Sequence, residues 1–535
     1  MPFTKLKGRK LMLLNIIYQR PTKLTNWHDY IVVVYRDLVL DRKETFTIED
    51  PTMNIYVVKD EYRTFRKPRH YLPMNQLDMV EIKYKNVLRE IAKIAGPNYM
   101  DYYNTHTSHK DRKQLFKYPY VLGADIDIET YYRYLWAVEF GKNDIVGTIR
   151  KGFFDIEVDQ IHYEGNMAKK GECPVNAFSI FDGHTNTAYE FLLNEPSNPL
   201  IQKFRDNIQE FYNDLHETFD DQYGRLEYKI YIVDDEIEML TQIFTLIKYV
   251  IEPDFFAGWN IFGYDIGYLI CRAKVLGINP SDLFCEKEFP TQNQYFYDDI
   301  NSFEFANKRS YFSTSSKVHY TDMTINYASL RKTRGAVKRV NLGYVAQKEI
   351  KDTKVDYSDV GNIRTLPYND YDTFVKYSIK DSLLIGKLEN KTKDMDNIYL
   401  ISMTNYTPYK DTLKQTVVFR ALMYGYLMSL GIALGHNVNF DTNTFGKYDE
   451  NGERIIDEDE EDESFEGALN GDTLLNNANG IKLYGVPSMF LYRLVIDFDF
   501  SSGHMGEWVA IPMANLSNCG DELVDAEYQS VTISA

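Results

Sequence analysis

At 535 residues the chain is too long for one ordinary core, and a size of roughly 150 residues per domain implies about three domains. Hydrophobic residues make up 44% and charged residues 26%, a balance that excludes wholesale disorder and a fibrous repeat. The net charge of −18 argues against nucleic-acid binding through bulk charge, but a carboxylate cluster that holds divalent cations also makes a chain look acidic, so the sign alone does not decide the matter.

Met1–Arg20 hold a basic stretch and a short apolar run from Leu11 to Ile17 that Asn15 interrupts, with no small-residue cleavage site after it; this reads as a first strand and not as a signal peptide. From about residue 1 to 145 the chain is rich in Tyr and in β-like runs such as Tyr30–Tyr35 (YIVVVY), and is expected to be a scaffold or binding domain. Near Ile149 the character changes. GFFDIEVD reads as a buried strand and KIYIV as another, after which Ile237, Leu240, Phe244, Ile247 and Ile251 recur at the spacing of an amphipathic helix. A strand over Phe255–Trp259 and a helix over Tyr264–Leu276 follow. Strands alternating with helices predict an α/β domain around a central sheet. From Ile455 the block IIDEDEEDESFEG is expected to be a solvated loop, because like charges repel, and RLVIDFDF near the end reads as a central strand. Cys173, Cys271, Cys285 and Cys519 form no Cys-x-x-Cys pair, which leaves a zinc site or a disulfide framework without support and fits a reducing compartment. No window approaches about 18 uninterrupted apolar residues, so no membrane span is expected and the protein reads as soluble and intracellular.

Three separated segments set acids in otherwise apolar text: Asp155 and Glu157 in FFDIEVD, Asp265 in GWNIFGYD, and Asp381 in YSIKD. Residues two apart on a strand share a face, so Asp155 and Glu157 can share one metal. Residues four apart on a helix stack, so Tyr377 and Asp381 face the same site. Each piece alone is weak in a chain with 78 acidic residues. The information lies in the ordered combination, because a buried unpaired charge is costly and a metal is an economical partner for several. Carboxylates without His or Cys make a hard, all-oxygen site suited to Mg²⁺ or Mn²⁺. Two such ions roughly 3.5–4 Å apart support in-line hydrolysis of a phosphodiester, with Tyr377 orienting the attacking water.

FFDIEVD, FAGWNIFGYD and YSIKD resemble the Exo I, Exo II and Exo III motifs of family B DNA polymerases, most closely those of T-even-type bacteriophages, and NLGYVAQ before the last motif fits the same pattern. The resemblance implies an α/β (α+β multidomain) chain with four parts: a β-rich N-terminal domain (1–145), a ribonuclease H-like 3′–5′ exonuclease domain (146–395), a helical connection with the acidic loop (396–480), and the beginning of a polymerase palm (481–535). It implies that Asp155, Glu157, Asp265 and Asp381 bind two Mg²⁺ or Mn²⁺ ions, that Tyr377 assists the water, and that Asn260 shapes the site. PSMFLYRLVIDFDFSS resembles the lead into polymerase motif A, with Asp499 in the place of the palm's metal-binding Asp, Asp497 as a solvent-facing neighbour and Ser502 also matching. Gly503, His504, Met505 and Gly506 depart from the family pattern, which puts discrimination between the two sugars in doubt. Motifs B and C are absent from the sequence, and Gly471-Asp472-Thr473 reads as a turn. The expectation is one half of a split DNA polymerase, replicating DNA with proofreading. Its partners would be a separate C-terminal chain, a single-stranded 3′ end or primer-template, and a sliding clamp, in the host cytoplasm. A truncated record or an interrupted gene would look the same. The rival readings are a freestanding 3′–5′ exonuclease and a non-catalytic DNA-binding assembly subunit.

Between Lys308 and Arg339 basic residues concentrate: Lys308, Arg309, Lys317, Arg331, Lys332, Arg334, Lys338 and Arg339, with Tyr311, Phe312, Tyr320 and Tyr327 interleaved. Positive charge with aromatic faces suits a single strand held without sequence preference, and a solvated basic face is the competing reading. No P-loop sequence occurs.

Overall fold

A computed structural model describes residues 2–435 except 66–68, 142–147, 162–170, 292–294, 301, 303–304, 333–336 and 338, together with the strand pair Lys447–Tyr448 and Arg454–Ile455. Most of the acidic block, Asp497, Asp499, Ser502 and the departures at 503–506 lie outside the described residues, as do Cys519, Arg334 and Lys338.

The Tyr-rich first region is antiparallel β-structure. Strands β1 (Leu11–Gln19), β2 (Tyr30–Asp37) and β3 (Arg42–Glu49) form one sheet. In a second, β4 (Thr52–Val58) pairs with β6 (Leu77–Lys83) and β7 (Val121–Leu122), while the short β5 (Tyr71–Pro73) lies apart. Helix α1 (Ile128–Phe140) starts where Asp127 accepts the N–H of Glu129, and packs Trp136 edge-on against Phe3 at 5.2 Å. Buried charge rivets that region to the chain at residues 252–254 and 317. Arg36 donates to Asp254 at 2.6 Å, and the Lys43 ammonium donates to the carbonyls of Glu252, Pro253 and Lys317.

The central sheet has six strands in the order β11 (Glu227–Val233), β10 (Thr187–Leu193), β9 (Val175–Asp182), β8 (Lys151–Val158), β12 (Phe255–Gly258) and β15 (His319–Asp322); a separate hairpin joins β13 (Tyr295–Asp298) to β14 (Tyr311–Thr314). The sheet is mixed: β9 runs antiparallel to β8 and β10, and the pairs β10–β11, β8–β12 and β12–β15 are parallel. β8 is covered on both faces, which is why it reads as a nearly continuous apolar run; Phe154 stacks on Phe256 at 4.6 Å and on Phe178 at 5.5 Å. The last described strand of the main chain body, β16 (Ile432–Leu434), returns to pair with β5.

The helices that frame the central sheet and its cleft include α2 (Ile208–Tyr223), α3 (Glu236–Leu246), α4 (Asp265–Val275), α5 (Met323–Leu330), α6 (Leu342–Ile350), α7 (Tyr371–Thr392) and α8 (Asp394–Thr404). The expected stripe on α3 is corrected at one position. Ile237 is 42% exposed, and the buried face is instead Met239, Leu240, Ile243, Phe244 and Ile247. Glu236 in the same first turn is buried against Arg272, so the turn is covered; Ile237 lies at the edge of the buried face.

Helix α7 lies against β8 and β9 through small residues four apart, Ser378, Ser382 and Gly386. Ser382 Oγ is 2.8 Å from Ser179 Oγ, and a Cβ on Gly386 would stand 2.6 Å from the Phe181 ring. This close approach of helix backbone to sheet brings the neighbouring face of α7, with Tyr377 and Asp381, over β8.

Candidate metal centre

β12 pairs with β8 only as far as Phe153, so the C-terminal half of β8 leaves one side open, and there the chain turns through residues 259–264 into α4. That turn is tight. Asn260 takes a left-handed φ of 65° and its carbonyl accepts the N–H groups of Gly263 and Tyr264. A Cβ on Gly258 would lie 2.6 Å from the Phe154 carbonyl oxygen, and one on Gly263 2.4 Å from Asn260 Oδ1, so neither position has room for a side chain. Asn260 therefore shapes the turn that delivers Asp265. Asp322 fixes the same turn from behind: one carboxylate oxygen accepts the Phe262 N–H at 2.9 Å, and the other caps α5 by accepting from Thr324 and Ile325.

Asp155 and Glu157 share the face of β8 that looks toward α7, and each offers a carboxylate oxygen that lies, together with one from Asp381, within 4.8 Å of the others. Asp265, first residue of α4, stands beside this triad; the N–H of Ile156, between the two β8 acids, helps hold its charge. The structure thus converges three of the four predicted acids tightly and sets the fourth within electrostatic reach of Asp155.

Burial and mutual repulsion dominate the electrostatics. Asp155 is held well above the usual carboxylate range by burial and by the charges of Asp381, Asp265 and Glu157. Burial and Asp381 push Glu157 up to about 8, and burial, with the charge of Asp322 adding to it, pushes Asp265 up to about 7. Carboxyls so perturbed in one cleft mark a site that favours an added cation. The donor set fits one: it is all oxygen, and Asp381 Oδ1 is buried without a hydrogen-bond partner.

One side chain at the cluster carries no signal in the sequence. Lys354, in the loop after α6, donates to Asp381 Oδ2 at 2.5 Å and to the Tyr377 hydroxyl at 2.9 Å. Burial works against its charge, but Asp381 and Asp155 outweigh burial and raise its pKa. Burial, then Asp381 and Glu157, also raise the Tyr377 phenol, so it keeps its proton. A lone lysine in a polar loop has no spacing relation to the acids that would have singled it out.

The basic stretch behaves differently. Lys308 is buried and pairs with Asp299 at 3.3 Å, Arg309 donates to the carbonyls of Ala306 and Lys308, and Lys317 pairs with Glu252 and Glu286. Arg331 stacks on Tyr327 and forks onto Asp394. Of the interleaved aromatics, Phe312, Tyr320 and Tyr327 are core; Tyr311 is partly exposed and stacks on Phe296. Lys332 and Arg339 are exposed, Lys332 donating to Asn307 and Arg339 lying over the Tyr344 ring.

Residues 124–334 match the profile of the DNA polymerase family B exonuclease domain. Asp155, Glu157 and Asp265 fall inside that match, whereas Tyr377, Asp381 and Lys354 lie beyond it and rest on geometry. The chain is also similar to a DNA-directed DNA polymerase of Enterobacteria phage T4, 23% identical over 291 residues, which is 52% of this chain and 30% of that polymerase. The chain therefore contains a family B polymerase exonuclease domain and is distantly related to the T4 enzyme, of whose length the match spans about a third. Among the described residues no helix is long and apolar enough to cross a membrane.

Proposed function

We propose that the chain is a metal-dependent 3′–5′ exonuclease of ribonuclease H-like fold that hydrolyses phosphodiesters at a single-stranded DNA 3′ end, as the proofreading part of a replicative family B polymerase. The observation that carries this is the convergence of Asp155, Glu157 and Asp381 from two distant segments into one all-oxygen cluster, with Asp265 beside it. DNA as substrate, the replication role and a primer-template or polymerase partner come to this reading from the family B match and the T4 relative.

Asp155, Glu157, Asp381 and Asp265 would hold Mg²⁺ or Mn²⁺. Bound there, such ions supply Lewis acidity toward the scissile phosphate and its attacking water. The residues supply the rest. Tyr377, kept protonated, donates a hydrogen bond and does not act as a base, so its part is to orient water or phosphate oxygen. Lys354 stays charged beside the cluster and meets negative charge that develops on the phosphate. β8, α4 and α7 fix the acids and Tyr377 on regular elements, and fixed geometry contributes most when little covalent chemistry falls to the protein.

The test is the polarity and metal dependence of degradation. A 5′-labelled single-stranded oligonucleotide should give a ladder of products shortened from the 3′ end with Mg²⁺ and none with chelator, and the Asp155→Ala, Glu157→Ala double variant should be inert. Internal cleavage, or equal activity in the variant, would refute the assignment.

A further inference from the structure

Lys354 reaches the acids from a strap whose own anchor is unusually well built. Helix α6 ends at Lys351, which takes a left-handed φ of 56°. The next residue, Asp352, receives three side-chain donors, Lys380 at 2.9 Å, Lys387 at 2.9 Å and the Tyr223 hydroxyl at 2.7 Å, besides the Thr353 N–H at 2.8 Å. Both ammonium groups also lie over the Tyr223 ring, at 4.7 and 4.6 Å. Burial pushes Asp352 up, but the hydrogen bonds from Lys387 and Lys380 win and bring it down to about 2. Lys380 is nearly buried and Asp352 largely so, which separates this cluster from ordinary surface pairs that contribute little.

The geometry joins the anchor to the site. Lys380 and Lys387 belong to α7, the helix that carries Tyr377 and Asp381. Lys380 is the immediate chain neighbour of Asp381, so their Cα atoms are about 3.8 Å apart. Asp352 and Lys354 are two residues apart and can be separated by no more than about 7 Å of chain. The strap thus runs along α7, gripping Lys380 and Lys387 on one face and placing the Lys354 ammonium on Asp381 and Tyr377 on the adjacent face; Tyr357 further along packs edge-on against Tyr377 at 5.4 Å.

We infer that Asp352 is a positioning residue for the hydrolytic site, acting through Lys354: by clamping the strap to Lys380, Lys387 and Tyr223 it sets where the Lys354 ammonium stands. This rests on the exonuclease reading for its effect on turnover, while the placement of Lys354 can be measured without any activity. A misplacement of about 1 Å in such a group can cost up to about a hundredfold in rate.

The experiment is a double-mutant cycle in the full chain, Asp352→Asn, Lys354→Met and both together, on single-stranded DNA with Mg²⁺, with amine labelling of Lys354 by acetic anhydride followed by peptide mass in metal-free protein. Asp352→Asn should lower kcat about tenfold with KM for DNA nearly unchanged, and should cost nothing further once Lys354→Met is present. Labelling of Lys354 should accelerate in Asp352→Asn. Tyr223→Phe, which removes one donor and keeps the ring, should shift kcat and labelling in the same direction by about threefold, and it carries the test if Asp352→Asn does not fold. Additive losses in the cycle, or a Lys354 labelling rate equal to wild type, would overturn the inference. If the wild-type chain does not shorten DNA at all, the exonuclease reading falls, and the labelling rates alone decide whether Asp352 places Lys354.

Discussion

The acids of the cleft and the bases of residues 308–339 are both dense runs of one charge, and the fold treats them in opposite ways. Asp155, Glu157 and Asp381 come from distant segments of the chain and are pressed together, with Asp265 beside them and the Lys354 ammonium against Asp381. Lys308, Lys317 and Arg331 come from one stretch of chain and are dispersed onto separate carboxylates, Asp299 for Lys308, Glu252 and Glu286 for Lys317, and Asp394 for Arg331. Opposite charges so paired satisfy the fold. Like charges gathered in a half-buried cleft cost stability, and such a cost persists where a ligand or a reaction recovers it.

The contrast can be broken most severely at the cluster. Asp381→Asn should reduce 3′ hydrolysis about a thousandfold or more while Tm stays level or rises, because the change removes repulsion along with function. Lys354→Met should lower kcat about a hundredfold with little change in KM, since it removes a charge that counts most as negative charge develops. A loss expressed wholly in KM would make Lys354 a binding residue only.

The same contrast predicts how pH acts on the metal-free chain. Glu157 and Asp265 have pKa values raised to about 8 and about 7 in the fold, so their protonated forms stabilise the folded state at mildly acid pH. That contribution is lost as pH rises through 7 and 8, where ionisation is disfavoured in the fold but free in the unfolded chain. Thermal melts in chelator should therefore fall by several degrees between pH 6 and 9, and Mg²⁺ should restore most of the difference at pH 9. The half-saturating Mg²⁺ concentration should drop over the same interval, because metal binding displaces protons.

Packing and pairing effects come next. Gly386→Ala places a methyl against the Phe181 ring and should cost about 1–3 kcal/mol by overpacking, with a parallel fall in activity as α7 lifts from the sheet. In the basic stretch, Arg331→Ala should lower stability by about 1–3 kcal/mol by leaving buried Asp394 without its partner. Lys332→Ala and Arg339→Ala, at exposed positions, should leave Tm unchanged and weaken DNA binding only a few-fold, more at low salt than at high. A Tm loss at Lys332 or Arg339, or none at Arg331, would erase the distinction.

Much of the cleft was legible because its signals are local. An acid inside an apolar strand text, two acids two apart, and Tyr and Asp four apart on a helix each follow from the period of one element. The alternation of strands and helices that builds the central sheet is local too. What stayed hidden depends on distant partners. Lys354 and Asp352 matter through Asp381, Lys380 and Tyr223, and nothing within the loop predicts those contacts. The basic stretch misleads for the same reason: charge can be counted along the chain, but Asp299 and Asp394 are found only in the fold. Phe312, Tyr320 and Tyr327 likewise read as stacking faces and turn out to be core. Ile237 follows the helical period of α3 but lies at the edge of its buried face.

The most direct test of the central claim compares single substitutions in the three converging segments, Asp155→Ala, Asp265→Ala and Asp381→Ala, for Mg²⁺-dependent shortening of a single-stranded DNA 3′ end by the full chain. One shared site predicts robust shortening by the wild type and its loss in all three folded variants. Wild-type activity surviving undiminished in any one of them would contradict it.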